Sequence, residues 1–227
     1  MSKQTFIPAA TLTFLRQLKK NNNREWFQEN KNRYDNALVS IKAFRDAYQA
    51  EMEKTDEIED SKIFRIYRDV RFSKDKSPYK GHFRGYLRRA SKARRGSYYF
   101  NFQPGGNSMI GGGFYNPNSA DLKLIRDHIA ADDKPLRKII KNATFKKYFG
   151  TLQGEQVKTA PKGFDKEHPA IDLLRYKQFY VFRNFKDKEI SDPGFLKEAV
   201  KTSKSYRAFF DYMSEILTTN LNGESLL

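Results

Sequence analysis

The sequence has no cysteine among its 227 residues, and it has only one Trp and three His. The absence of cysteine excludes disulfides, thiolate metal sites, iron–sulfur clusters and a cysteine nucleophile. His82, His128 and His168 include no i, i+4 pair, so a histidine zinc site would need ligands from distant segments. We therefore predict no metal site, and the sequence identifies no cofactor.

Long apolar runs and acidic residues are also scarce. No stretch approaches the roughly 20 apolar residues of a membrane-spanning helix, and the first residues lack the apolar region of a signal peptide. Lys and Arg outnumber Asp and Glu by 43 to 27, which gives a formal net charge of +16. We therefore expect a soluble, cytoplasmic protein with no membrane partner, whose ligand is an anionic small molecule or a polyanion, nucleic acid included.

Aromatic residues are abundant and predict a folded chain. The 19 Phe and 13 Tyr supply a large buried area per residue. The length fits one large domain or two small ones. Because no linker and no internal repeat interrupts the sequence, we predict a single domain over residues 1–227.

Apolar periodicity predicts helices at both ends of the chain and strands in the middle. Spacings of three and four residues recur through the first quarter and again in one final helix that begins after residue 193. Alternation of apolar and polar residues predicts a sheet, and the turn at residues 104–107 predicts a hairpin. The fold class is therefore α+β, a central antiparallel sheet with helices from both chain ends packed on it. The main strands are predicted over residues 62–72, 97–103, 108–115 and 178–185.

Positive charge is concentrated in residues 62–95. This segment has thirteen Lys and Arg against two Asp, and so holds +11 of the net charge of +16. Several Arg side chains on a concave surface form an anion site, because each presents a planar fork of donors to phosphate or carboxylate. Arg65, Asp69 and Arg71 fall on one predicted strand face. The alternative is a solvated face whose exposed ion pairs contribute about 0–1 kcal/mol each.

Two further segments are candidates for chemistry. The run Gly111–Gly113 interrupts a predicted strand, which indicates a bulge or the close approach of another backbone or a ligand. No phosphate-binding loop pattern surrounds it. In the loop 159–169, Asp165 and His168 could act as a general acid–base pair. The alternative is that Asp165 only caps a turn.

The chain resembles the bacterial and fungal family called domain of unknown function 2461. The resemblance spans roughly residues 5–217 and implies a single family domain in which the three segments above converge on one cleft. It implies no reaction. Gly81 departs from the family pattern, in which we expect a small hydroxyl residue, often Thr. The resemblance is carried by Trp26–Phe27 with Asn30–Lys31, by residues 67–80 (YRDVRFSKDKSPYK), by residues 111–115 (GGGFY) and by residues 158–165 with His168–Pro169.

We therefore predict that these motifs bind one anionic ligand in a basic cleft. An enzyme that acts on a small phosphorylated or carboxylated substrate is the first alternative, and its catalytic candidates are Asp69, Asp165 and His168. A nucleic-acid or polyanion binder is the second alternative. The predicted ligand-binding residues are Arg68, Arg71, Ser73, Lys74, Asp75, Lys76, Tyr79, Lys80, Gly111, Gly112, Gly113 and Lys162.

Overall fold

The computed structural model describes residues 5–227. The fold is α+β, with a five-stranded antiparallel sheet whose strands lie in the order β1–β2–β3–β4–β5, so the predicted fold class is confirmed. Consecutive strands are therefore neighbours throughout the sheet. The strands are β1 (Ile58–Ile63), β2 (Phe83–Arg89), β3 (Ser97–Phe102), β4 (Ser108–Phe114) and β5 (Phe179–Phe185).

Helices precede β1, separate β4 from β5 and follow β5. Asn side chains begin three of them: Asn23 accepts a hydrogen bond from the Trp26 N–H at 2.8 Å, Asn118 from the Asp121 N–H at 2.8 Å, and Asn142 from the Thr144 N–H at 2.9 Å. No helix within residues 5–227 is long and apolar enough to cross a membrane. The helices are α1 (Ala9–Lys20), α2 (Arg24–Glu29), α3 (Lys31–Glu53), α4 (Ser119–Ala131), α5 (Lys134–Lys141), α6 (Ala143–Phe149), α7 (Ile171–Leu174), α8 (Asp187–Ile190), α9 (Phe195–Lys204) and α10 (Arg207–Ile216).

The chain divides into two compact units. The first unit runs to Leu87 and also contains Tyr99–Ile110 and Asn184–Lys201. The second unit contains Arg88–Tyr98, Gly111–Arg183 and Thr202–Leu227. A single domain over the whole chain stays a prediction.

The core of the first unit covers one face of its strands. On β2, Leu87 is buried whereas Arg84 is exposed, as expected for a sheet that is covered on one side. Phe44 of α3 contacts Phe102 of β3 edge-on, with ring centroids 5.1 Å apart. Phe195 of α9 stacks on Phe44 at 5.3 Å. Helices from both ends of the chain therefore pack on this face.

In the second unit α10 packs on the strands. Phe210 contacts the ring of Tyr98 of β3 with centroids 5.3 Å apart. Tyr206, at the start of α10, donates its hydroxyl proton to the Gly111 carbonyl oxygen of β4 at 2.6 Å. Both Tyr98 and Tyr206 are fully buried. This hydrogen bond therefore ties the C-terminal helix to the backbone of the strand that carries the glycine run.

The strand predicted over residues 62–72 is wrong in its position. The observed strand β1 lies earlier, and its pairing with β2 ends where the Phe64 N–H donates to the Arg84 carbonyl oxygen at 2.8 Å. Alternate residues of this segment do not share one buried face either, because Ile66 is buried whereas Phe72 is 95% exposed. The chain leaves the sheet here because the next residues pair with a segment of their own loop.

Candidate functional site

Residues 64–80, here called the basic loop, connect the end of β1 to the start of β2. The two arms of the loop pair with each other: the Arg68 N–H donates to the Pro78 carbonyl oxygen and the Lys80 N–H to that of Ile66, each at 2.8 Å. These bonds fix the two arms side by side. Charged side chains that are distant in sequence therefore emerge from neighbouring backbone positions.

Residues outside the basic loop hold its base in place. The Asn22 side-chain amide donates to the Tyr79 carbonyl oxygen at 2.9 Å, and its oxygen accepts from the Tyr79 N–H at 3.0 Å. Phe27 of α2 stacks on the Tyr79 ring with centroids 4.0 Å apart. Tyr79 is buried, so its ring belongs to the core of the first unit. A ligand contact by Tyr79 stays a prediction.

The carboxylates of the basic loop are held by groups of the same loop. Arg71 donates to both oxygens of Asp69, at 3.0 and 2.7 Å, and this contact lowers the pKa of Asp69. Asp75 accepts from the side chain and backbone of Ser77, which lower the pKa of that carboxyl, and it pairs with Arg68 at 2.7 Å. Both carboxylates are therefore ionised at neutral pH, and a catalytic role for Asp69 stays a prediction.

The tip of the loop also carries lysines without an acidic partner. Lys76 donates from its Nζ to the Val70 carbonyl oxygen at 2.9 Å, and Lys74 is exposed beside the half-buried Ser73. Neither lysine forms an ion pair within residues 5–227. The tip therefore presents net positive charge.

Arg65, Arg68, Lys80 and Arg84 are here called the basic cluster: the three arginines lie near Lys80, and Arg68, Lys80 and Arg84 also lie near His82. Burial is the main cause that lowers the pKa of His82 to about 4, and three cations of the cluster act in the same direction. Burial and the charges of the three arginines also lower the pKa of Lys80. His82 is therefore neutral at pH 7, and the positive charges of the cluster repel one another.

The basic cluster has few partners inside the protein. Arg68 pairs with Asp75, whereas the other three cations form no ion pair in the part of the chain that the structure describes. The Arg84 Nε–H donates to the Asn101 side-chain oxygen at 3.0 Å. The Arg68 Nε–H is buried and has no hydrogen-bond partner among residues 5–227. The cluster therefore has more hydrogen-bond donors than its neighbours accept from. The oxygens of a bound anion would accept from the remaining donors.

The glycine run belongs to the second unit. A Cβ atom added at Gly111 would overlap the Val181 carbonyl oxygen, and one added at Gly113 would overlap that of Phe179. Both oxygens belong to β5, the next strand of the sheet. The glycines thus allow close approach of another backbone, one of the two interpretations that the sequence left open. Their contact with a ligand stays a prediction.

Asp165 and His168 lie in one turn of the second unit. The Asp165 carboxylate accepts from the Glu167 N–H at 2.9 Å, which is the geometry of a capped turn. His168 accepts from the Ala170 N–H at its Nδ1 at 3.1 Å. In the neutral ring the proton therefore lies on Nε2. Lys162 of the same loop is exposed. The contacts of the Asp165 carboxylate and of the His168 Nδ1 both lie within this turn. A catalytic role for either residue stays a prediction.

The predicted site residues divide between the two units. Those of the basic loop belong to the first unit, whereas the glycine run, Lys162, Asp165 and His168 belong to the second. The structure brings Arg68 and Lys80 together in the basic cluster. The convergence of all three motifs on one cleft stays a prediction.

Sequence reasoning did not assign a site role to His82, Arg84 or Asn22. The sequence could have indicated Arg84, because this residue is at an outward-facing position on β2, shortly after the basic loop. It could not have indicated His82, since its low pKa depends on burial and on cations that pairing of the two arms brings close. Asn22 contacts residue 79 across 57 positions of sequence, and no local pattern indicates that contact.

Among the described residues, neither metal-ligand groups nor the groove beside α1 and α3 adds a second candidate site. Among the described residues no group of three or more His, Asp or Glu could hold a metal ion. A groove of about 270 Å³ lies in the first unit beside α1 and α3, and it contains none of the predicted site residues. The groove is lined by Pro8, Ala10, Thr11, Thr13, Arg33, Asn36, Ala37 and Ser40.

Comparison with known proteins confirms the resemblance seen in the motifs. No curated protein and no solved structure matches the chain. A family model described as "Conserved hypothetical protein (DUF2461)" matches residues 10–212. This match covers most of the 227 residues, including the basic loop, the glycine run and the turn around His168. The chain belongs to this family of conserved hypothetical proteins.

Proposed function

We propose that the protein binds an anionic, phosphate- or carboxylate-bearing ligand at the basic cluster of the first unit. One observation carries this proposal: four cations lie close together, three of them beside a neutral histidine, and a single carboxylate pairs with one of them within residues 5–227. Like charges that lie close together at a partly buried position repel one another. A bound anion offsets this repulsion, because it attracts each of the cations.

The fold maintains the cluster through backbone bonds that do not depend on its charges. The ladder between the arms of the basic loop and the Asn22 contact use main-chain groups of the loop. Lys80 donates to the backbone carbonyl oxygen of Arg65 at 3.0 Å, which occupies one of its three donors. The backbone positions that carry the cations are therefore fixed before a ligand arrives, and preorganisation of this kind favours affinity.

The donors that remain suit a polyvalent anion. The Arg84 contact with Asn101 uses only Nε, so its terminal nitrogens are available. Arg65 is exposed and forms no ion pair in the described part of the chain, although its charge contributes to the lowered pKa of Asp69. A guanidinium fork binds two oxygens of one phosphate or carboxylate group. This ligand class fits the predicted cytoplasmic location, where phosphorylated molecules are abundant.

Replacing Arg65 by alanine should weaken binding of tripolyphosphate about tenfold, because one charge-assisted hydrogen bond contributes roughly 1.5 kcal/mol. The folded structure should be unaffected, since Lys80 contacts the backbone of Arg65 and not its side chain. Isothermal titration calorimetry with tripolyphosphate, and in parallel with citrate, measures the affinity.

Lys42→Ala is the matched control for this experiment. Lys42 is an exposed lysine of α3 in the same unit, so the variant removes one positive charge without touching the cluster. Its affinity should equal that of the wild type. Equal affinities for the wild type, Arg65→Ala and Lys42→Ala, or no binding of either anion by the wild type, would contradict the proposal.

A further inference from the structure

Phe72, at the tip of the basic loop, exposes 95% of its surface. A phenylalanine that is almost entirely in water adds nothing to the core and leaves its apolar ring available to a partner. Its one described ring contact is with Arg71, whose guanidinium carbon lies 5.9 Å from the ring centroid. Folding therefore does not explain this side chain, whereas a partner that covers it would.

Two more aromatic rings of the basic loop are partly exposed, and each is adjacent in sequence to an arginine. Phe64 is 38% exposed and precedes Arg65; Tyr67 is 43% exposed and precedes Arg68. Together with Phe72, which follows Arg71, they alternate rings with cations along the loop. A nucleic-acid strand alternates the same two features, since each nucleotide has a base and a phosphate.

The two partly exposed rings are fixed against neighbours. Phe64 contacts Tyr86 with centroids 5.7 Å apart, and Tyr67 contacts Phe27 at 5.8 Å and Tyr79 at 5.4 Å. Each ring therefore packs against a neighbour and still presents part of its surface to solvent. This arrangement suits stacking of a flat base and does not suit insertion into the hydrocarbon of a membrane.

We propose that the basic loop binds single-stranded nucleic acid, with a base stacked on Phe72 and phosphates bound by the basic cluster. This inference rests on the proposed function, because it takes the phosphodiester group as the anion of that site. Single strands are the fitting form, since the bases of a duplex already stack on each other and leave no free face for a ring. No base-specific contact is implied, so binding should depend little on sequence.

The test measures fluorescence anisotropy of a labelled oligothymidylate of about 12 nucleotides, within the usual range of site sizes for single-strand binders. Phe72→Ala should weaken its binding about tenfold, which is within the range measured for loss of one stacked base. Phe72→Trp should restore it, and the affinity of both variants for tripolyphosphate should stay that of the wild type. Tyr115→Ala, which removes a 65% exposed ring of the second unit, is the control and should bind like the wild type.

The outcomes separate this inference from the proposed function. Wild-type protein that binds tripolyphosphate but not the oligonucleotide would overturn the inference and leave the proposed function intact. Failure to bind either probe would overturn both. Equal oligonucleotide affinity of Phe72→Ala and the wild type would overturn the stacking role. Binding to phosphatidylserine vesicles that depends on Phe72, without binding to the oligonucleotide, would overturn it in favour of a membrane surface.

Discussion

Replacing Gly111 by alanine is expected to lower the free energy of unfolding by more than about 3 kcal/mol, or to prevent folding. The added methyl group would overlap the Val181 carbonyl oxygen and the Phe182 ring of the neighbouring strand. The carbonyl oxygen cannot move aside without disturbing the pairing of β4 with β5, and a shift of β4 would disturb the hydrogen bond from Tyr206 to Gly111. Urea denaturation of the purified variant measures the loss.

Gly81→Ala is the matched control. A Cβ atom at Gly81 has no neighbour closer than the Lys19 Cβ at 4.0 Å, and its backbone is not in the left-handed region. Its unfolding free energy should differ from that of the wild type by less than about 0.5 kcal/mol. A Gly111→Ala variant that folds normally but no longer binds tripolyphosphate would contradict the packing role. It would instead support the ligand contact that the sequence predicts for the glycine run.

Removal of the Arg89 side chain should destabilise the protein by about 3 kcal/mol. The side chain is 4% exposed and donates to Asp211 at 2.6 Å, to the Ser214 hydroxyl at 3.2 Å and to the Arg95 carbonyl oxygen at 3.3 Å. Arg89→Ala leaves a cavity beside Phe210 and removes a donor from each of these acceptors. The shift of the urea midpoint at an unchanged m-value measures the effect.

The adjacent residue provides the control for Arg89. Arg88 carries the same charge on the same strand, but its side chain is exposed because successive residues of a strand point to opposite faces. Arg88→Ala should therefore change the unfolding free energy by less than about 0.5 kcal/mol. Equal losses in Arg88→Ala and Arg89→Ala would show that charge, and not burial with hydrogen bonds, sets the effect.

The parts of the fold that the sequence predicted depend on local chemistry. The hairpin of β3 and β4 follows from alternating apolar residues around the turn Pro104–Gly105–Gly106–Asn107, and both strands lie where the alternation places them. Asn23 at the start of α2 is a signal of the same local kind, because its side chain accepts from a backbone N–H three residues ahead. Such signals act within a few residues and are visible in one sequence.

The parts that the sequence did not predict depend on contacts between distant residues. Strand β1 lies in an acidic stretch and gains its pairing from β2, whereas the alternation that follows it belongs to a loop that pairs with itself. The predicted final helix is two helices, which meet where Tyr206 turns inward to bond Gly111 across 95 residues. Local periodicity contains no information about either contact.

The candidate site shows the same division. Charge density in the sequence identified the basic loop, with Arg68 and Lys80 among its ligand-binding residues. It could not show that Arg71 is held by Asp69, nor that Arg84 lies near Lys80. Which arginine is paired and which is available depends on side-chain geometry. The sequence therefore identified the segment, whereas only the structure shows which of its cations form ion pairs.

The pKa of His82 tests the central claim most directly, because this ring lies among the cations that are proposed to bind the anion. NMR titration can follow the three histidines, with His128 and His168 of the second unit as internal references. We expect the pKa of His82 to be about 4 in the free protein and to rise when tripolyphosphate binds, since a nearby negative charge favours the protonated ring. A His82 pKa that is ordinary in the free protein, or that does not change at saturating tripolyphosphate, would contradict an anion site at the basic cluster.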